Sequence, residues 1–349
     1  MPTEESAVIV RAEVLRTFCR DVLMRAGMPL AEAELIADSL VEADLRGIYS
    51  HGVVRLWLYE RRLRAGLICP NPPMRFTRTG PATATLAGGH GAGQVIGTRA
   101  MTEAIALARD AGAGCVAVTE SNHFGIAAYF TMQALKHDMI GFAVCHSDQL
   151  VAPYGAAQPF FGTNPLSVAI PAGEEDPFVL DMATSVGPIG KVTSAQAAGE
   201  PIPSGWAIDS AGNPTTDPAQ ALKGALLPIG TYKGYGLAMV VEVLSALLGG
   251  SPFGPYVPVP FTIKEIQNLG QFFAALDLRR FGDAAVFKAR MDQMIREIKA
   301  LPRAPGFAQI LVAGEPEAQC RRDRLRNGIP LTAEAVKVLT EYGFAPDPL

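Results

Sequence analysis

From residue 12 onward, apolar positions recur three and four apart, the period of a helix with one buried face. Val14, Phe18 and Val22 lie four apart, and Gly27 with Pro29 halts the run, so the pattern predicts a helix over 12–26. Leu35, Ile36 and Leu40 predict a second over 30–46, ending at Gly47. A third over 51–65 follows Ser50, a residue type that caps helix starts, and stops at Gly66. The stretch CPNPPMRF (69–76) reads as a linker. Beyond it, short β-rich runs at 82–87, 114–120 and 139–147 alternate with helical patterns at 98–111 and 126–138. Further strands are expected at 165–171, 177–184 and 270–277. That rhythm predicts an α/β fold whose sheet is covered on both faces. A Gly/Pro-rich excursion at 198–231 leads into a helix over 232–248, apolar enough to be buried. The prolines of SPFGPYVPVP (251–260) bar a central strand and predict a loop. Helices return at 283–300 and 331–342. The simplest division is a helical unit from both chain ends, 1–75 with 283–349, flanking an α/β domain over 76–282.

Composition narrows the class. The 349 residues are 49% hydrophobic, with 30 basic against 34 acidic side chains, which disfavours both disorder and nucleic-acid binding. The start, MPTEESAVIV, lacks the basic and long apolar regions of a signal peptide. The run 236–248 is too short to span a bilayer and carries Glu242, so no membrane is expected as a partner. Cys19, Cys69, Cys115, Cys145 and Cys320 are odd in number and form no CxxC pair, which suits a reducing cytoplasm. His90, His123, His137 and His146 show no HxxxH or HExxH spacing, so no metal site is expected. A cytoplasmic enzyme acting on a small molecule is the reading that remains.

Several groupings could carry chemistry. Gly91-Ala92-Gly93 with Gly97, followed by Glu120 at the end of the next strand, has the layout of a dinucleotide fingerprint. A tight turn without a phosphate explains it equally. On a helix over 51–65, His51, Arg55 and Tyr59 would share one face and suit an anionic substrate, with Arg clamping a carboxylate and His moving a proton. The alternative is a solvated helix start. Ser121-Asn122-His123-Phe124-Gly125 closes one strand and His146-Ser147-Asp148 the next, so both deliver polar groups to one sheet edge, where open α/β sheets place ligand groups. Lys233, among Gly230, Gly234 and Gly236, would start a helix against its dipole and makes sense beside an anion such as pyrophosphate. Arg321, Arg322, Arg324 and Arg326 read as a solvated helix face.

The ordered motifs SHGVVR (50–55), SNHFG (121–125), GTNPLS (162–167), DMATS (181–185), IPSGWAID (202–209), PTTDP (214–218), YKGYGL (232–237) and RNGIPL (326–331) resemble the malate/L-lactate dehydrogenase-like family along nearly the whole chain. That family also holds ureidoglycolate, L-sulfolactate and diketogulonate enzymes and cyclic ketimine reductases. The resemblance implies a homodimeric NAD(P)-dependent oxidoreductase (NAD, with NADP possible) acting on a small 2-hydroxy or 2-oxo acid, or alternatively on a cyclic ketimine. It also implies that the nucleotide domain is a non-Rossmann α/β domain with a mixed sheet, which makes the Gly91–Gly97 match a decoy. The positions of His51 and His123 each match the proton donor of some members, and both residues are present. Arg55 and Tyr59, with Ser50 beside them, match substrate-binding positions. Asp148, in a Ser-Asp pair like that of ureidoglycolate dehydrogenases, would meet N–H donors of a substrate. Ser147, Asp181, Met182, Ala183, Lys233 with its neighbour Tyr232, and the turn Gly314-Glu315 match positions lining the cofactor. SPFGPYVPVP is more Pro-rich than the family pattern on the substrate side.

Overall fold

The helices expected from the N-terminal periodicity form in the computed structural model, which describes residues 8–345. Residues 1–7, part of the segment read above for a targeting signal, lie outside the described residues. After the short strand β1 (Ile9–Val10) come α1 (Ala12–Arg25), α2 (Leu30–Leu45) and α3 (Leu56–Arg64). In α1 the buried stripe is Leu15, Cys19, Val22 and Leu23, while Val14 faces outward.

The third helix begins later than the sequence suggests. Residues Tyr49–His51 and Val53–Arg55 form two single 3-10 turns separated by Gly52 in extended backbone, and Ser50 makes no side-chain cap. The buried carboxylate of Asp44 accepts the Val53 N–H at 2.7 Å and fixes this break. His51 therefore sits on a turn ahead of α3, not on its face.

The linker expected at 69–76 gives way to β2 (Arg75–Arg78), and β3 (Thr83–Ala87), α4 (Gly93–Ala111), β4 (Ala113–Ser121), α5 (Ala128–Leu135) and β5 (Met139–Cys145) follow. β6 (Leu166–Ile170) and β7 (Phe178–Met182) complete the first run of strands. The excursion then holds α6 (Ile189–Ala198), β8 (Ala207–Ile208), β9 (Pro214–Thr215), α7 (Pro218–Ala221) and β10 (Ala225–Leu226), with the three strands forming a small antiparallel sheet. α8 (Tyr232–Glu242) runs on into a π-helical turn over Val243–Leu247. The chain finishes with β11 (Leu269–Asp277), α9 (Ala284–Lys299), α10 (Glu315–Asn327), β12 (Ile329–Pro330), which pairs with β1, and α11 (Ala333–Glu341).

The main sheet has seven strands in the order β2-β3-β4-β11-β5-β6-β7. Among these strands only β3 and β4 pair in parallel, so this is a mixed sheet and not the parallel sheet of a Rossmann unit. β11 inserts antiparallel between β4 and β5, which leaves those two strands pointing the same way with their ends at one edge. α4 and α5 cover one face over a core that includes Ile96, Phe130 and Phe273. The second face is only partly covered, contrary to the expectation. An apolar groove of about 1080 Å³ remains between Ile140, Ile170 and Leu276 of the sheet and Val286, Met291 and Met294 of α9.

α9 docks on the sheet side, where Asp292 accepts the N–H groups of Gly173, Glu174 and Glu175 and Lys288 pairs with Asp138. α10 and α11, by contrast, pack against the N-terminal helices. Of the four arginines expected on a solvated face of α10, Arg326 is exposed, whereas the other three are engaged. Arg321 pairs with Glu42, Arg322 with Asp176, and Arg324 stacks on Tyr49 at 4.6 Å from the ring centroid. The helix expected to be buried also differs. Leu237, Met239, Val240, Val243 and Leu247 of the α8 segment are exposed.

Candidate active site

The end of β4 and the turn before α3 meet around two histidines. The backbone beyond β4 carries His123, whose N–H donates to Oε1 of Gln267 at 3.0 Å. Its Nδ1 lies 2.7 Å from the Tyr59 hydroxyl. The His51 ring stacks on it, with centroids 5.6 Å apart and planes 13° from parallel. The Nδ1 of His51 is held at 2.8 Å by the Ser50 hydroxyl, and the Arg55 Nε donates to the Ser50 carbonyl at 2.6 Å. Arg55 extends over the Phe261 ring at 5.0 Å. His51, His123, Arg55 and Tyr59 are thus brought together as expected, by tertiary convergence instead of one helical stripe.

Electrostatics sets their protonation. Burial, reinforced by the charge of Arg55, pulls His51 down to about 4. Burial, then His51, Arg55 and Arg62, pull His123 well below the ordinary imidazole range. Both rings are neutral near pH 7. Burial pushes the Tyr59 phenol up, so it keeps its proton. A protonated phenol can donate to Nδ1 of His123 or accept from it, so it holds the ring in either tautomer and leaves Nε2 free.

The second strand end behaves as the sequence predicts in place, and more structurally in detail. His146 is fully buried, with Nδ1 3.2 Å from the Ser245 hydroxyl in the π-helical turn, and burial lowers it to about 4. Ser147 accepts the Thr163 N–H at 3.2 Å. Asp148 is 8% exposed, and burial raises its carboxyl to about 6.

Backbone bonds tie β7 and the residues just after it to the segments that carry the residues expected to line a cofactor. Thr184 N donates to the Thr163 carbonyl at 2.8 Å and Ile229 N to the Thr184 carbonyl at 2.9 Å, linking Ser147, the segment Asp181-Met182-Ala183 and the start of α8. Val179 N donates to Ala313 O at 2.9 Å, which brings up Gly314 and Glu315. Tyr232 and Lys233 are exposed at the α8 start, and Met182 and Ala183 are half-buried. Asp181 accepts the Ala128 N–H at 2.8 Å at the head of α5, and burial raises it to about 6. Glu315 is tied back to Val312 N and Lys299. Asp181 and Gly314 share a cavity of about 260 Å³ with Arg46 and Glu317.

The apparent fingerprint has another explanation. A Cβ on Gly93 would lie 2.1 Å from the Asn122 carbonyl oxygen and one on Gly91 2.6 Å from the Pro72 ring. Gly93 lets the 122–123 backbone close over the α4 N-terminus, and Gly91 lets the Pro72 ring pack on the turn, so both glycines have a packing reason. Glu120 turns back to accept Gly89 N at 3.2 Å. Among the described residues no cluster of His, Cys, Asp and Glu could hold a metal ion.

Sequence reasoning missed Arg62, Gln267 and Phe261. Arg62 is 1% exposed and donates to Pro260 O, Glu265 O and the Asn122 side chain, pinning the Pro-rich loop over the site. Its only signal was a place three residues beyond Tyr59. Glu242 holds the same loop through Gly254 N at 2.7 Å, which gives the proline-rich segment a fixed path.

Comparison with known proteins shows the family and the fold. The profile of the family described as malate/L-lactate dehydrogenase matches residues 10–340. Malate dehydrogenase of Pyrococcus horikoshii is 40% identical over 346 residues, covering 97% of this chain and 95% of that protein. Its solved structure superposes with a TM-score of 0.89 over 97% of this chain and 95% of that one, at 38% identity. Ureidoglycolate dehydrogenase (NAD(+)) of Escherichia coli K12 is 36% identical over 331 residues, 95% of this chain and 94% of that protein. The structure of delta1-piperideine-2-carboxylate reductase from Pseudomonas syringae superposes with a TM-score of 0.86 at 27% identity, covering 95% of this chain and 99% of that one.

Proposed function

The chain belongs to the malate/L-lactate dehydrogenase family, and on that premise we propose that it transfers a hydride between a nicotinamide dinucleotide and a small 2-hydroxy acid. The balanced reaction is 2-hydroxy acid plus NAD⁺ giving 2-oxo acid, NADH and a proton. The observation that carries this reading is the neutral His123, held on Nδ1 by Tyr59, stacked on His51 and flanked by Arg55. Nicotinamide, when bound, supplies the hydride acceptor or donor. The rest falls to this chain's residues. His123 Nε2 takes the hydroxyl proton of the substrate during oxidation and returns it to the oxygen during reduction. The Arg55 guanidinium receives the carboxylate, and a bound anion there offsets the positive field that adds to burial in holding both imidazoles down. Tyr59 and Ser50 orient the two rings. Phe261 and the loop pinned by Arg62 exclude water. Lys233 and the Asp181-Met182-Ala183 segment hold the dinucleotide, for which NAD is the proposed form. A homodimer in the cytoplasm is the proposed state, with α10 and α11 joining residues 1–75 as the helical unit.

A second reading, reduction of a cyclic ketimine acid, is favoured by Asp148. Two anions in one pocket repel, so a buried carboxylate beside an anionic substrate gains a role when the substrate also offers N–H donors. Mixing the protein with NADH or NADPH and a panel of 2-oxo acids and cyclic imines, while following the nicotinamide absorbance, separates the readings. Turnover of no 2-oxo acid and of an imine would favour the second, and no turnover of any would sink both.

A further inference from the structure

Arg46, just past α2, is only 6% exposed, yet its Nε has no hydrogen-bond partner. Among the described residues no carboxylate closes an ion pair with its guanidinium. The acid one helical turn back, Glu42, is already taken by Arg321, whose Nε reaches both carboxylate oxygens at 2.8 and 3.0 Å. Arg62, the other deeply buried arginine near the site, leaves its Nε unpartnered too, but its two terminal nitrogens donate to three oxygens, whereas Arg46 makes no such bond among the described residues. Burial lowers Arg46 from the usual guanidinium range despite the fields of Glu42, Glu317 and Asp181, with Arg321 adding to the cost. A largely buried cation without a partner is expensive, and an anion bound beside it would offset that cost.

The side chain lines the cavity of about 260 Å³ whose other walls include Val179, Asp181, Gly314 and Glu317. That volume is below the ~300–1,000 Å³ of whole small-molecule sites, so it suits one portion of a larger ligand. The carboxylates of Asp181 and Glu317 offer acceptors for hydroxyls, and Arg46 offers donors to an anion. A sugar hydroxyl next to a phosphate ester matches that mixed lining, whereas a bare carboxylate would leave the acceptors unused. We propose that Arg46 is the cation that receives a phosphate group of the nicotinamide dinucleotide, in the cavity between β7 and the start of α10. The inference rests on the dinucleotide reading above and extends it to a residue that no motif singled out.

The test measures two quantities on the purified full chain, cofactor affinity by nicotinamide fluorescence and melting temperature without ligand. Arg46→Met keeps the length and removes the charge. It should bind NADH about 10–100-fold more weakly, the loss of a charge-assisted contact. Because it also relieves an unpaired buried charge, it should melt no lower than the parent chain. A residue that merely held the fold would move the second quantity down and leave the first alone. Arg46→Lys, which keeps a charge, should retain part of the affinity. Equal weakening for NADH and NADPH assigns Arg46 to a phosphate common to both, and weakening for NADPH alone assigns it to the 2′-phosphate. Unchanged affinity for both cofactors in Arg46→Met overturns the inference, as does a lysine variant no better than methionine. If the parent chain itself binds neither cofactor, the dinucleotide reading falls and this inference falls with it.

Discussion

Tyr59 is the residue on which the proposed acid–base chemistry turns, because among the described residues its hydroxyl alone holds the Nδ1 of His123. Tyr59→Phe removes that contact and keeps the packing of a 2% exposed ring. We expect kcat to fall about 10–100-fold, below the ~10²–10⁴-fold effect of losing a general acid–base group, which His123→Asn should show. Cofactor fluorescence should report unchanged NADH affinity in both variants. Equal kcat in Tyr59→Phe and the parent would remove the hydroxyl from the mechanism. Arg55 makes a different demand. Its fork is steadied by the Ser50 carbonyl and by the Phe261 face, which a lysine point charge cannot use in the same way. Arg55→Lys should therefore raise KM for the acid about tenfold or more, on the scale of one charge-assisted bond, with a smaller change in kcat. Initial-rate kinetics over a range of acid concentration checks it.

At the scale of the element, the turn Tyr49–Arg55 is held from beneath by Asp44. This carboxylate is 3% exposed, accepts Val53 N, and stands where a Cβ on Gly52 would lie 1.9 Å from Oδ1. Its pKa is raised to about 7 by burial, against the pull of the Val53 bond and of Arg324. Cys19 of α1 faces it as well, with its thiol kept protonated by burial. A carboxyl whose folded pKa is raised binds its proton more tightly in the folded state. Its contribution is therefore most favourable below the ordinary carboxylate range and is lost as pH rises through about 7. Asp44→Asn keeps an acceptor for Val53 N and does not titrate. Urea unfolding at pH 5 and pH 8 should show the parent losing roughly 2–4 kcal/mol relative to this variant between the two, from a shift of that size. Parallel pH dependence in the two proteins would place the titration elsewhere. This element also shows what the sequence made legible. SHGVVR and SNHFG carried side chains that meet in the fold, but the helix drawn through His51 was wrong because Asp44, distant by a helical turn and more, breaks the chain there. Arg62 and Pro260 are 198 positions apart, so nothing in their neighbourhoods announced that one pins the other. The alternation of β4, β5 and β11 revealed three strands, while the insertion of the last between the first two is a tertiary event with no periodic signature.

For the whole molecule, the apolar surface left over is the most informative feature. The run 232–248 reads as buried from composition, and hydrophobicity cannot distinguish burial within a chain from burial against another surface. In the single chain, Val240 is 53% and Leu247 51% exposed on the α8 segment, while Phe281 and Val286 beside the open sheet face reach 74% and 57%. Soluble monomers rarely leave continuous patches of this kind, and a second copy of the same chain is the simplest cover, since a closed pair with twofold symmetry buries the same face on both members. The family resemblance implies the same state. We therefore expect sedimentation equilibrium to give twice the chain mass at micromolar concentration. Leu247→Glu with Val240→Glu would place two carboxylates per chain in that contact, facing their own copies across the axis region, where uncompensated burial costs several kcal/mol in total. The double variant should sediment as a monomer, or dissociate at a concentration at least 100-fold higher than the parent. Light scattering after size exclusion provides an independent reading. A parent chain that sediments as a monomer throughout the micromolar range would show that neither apolar surface serves self-association.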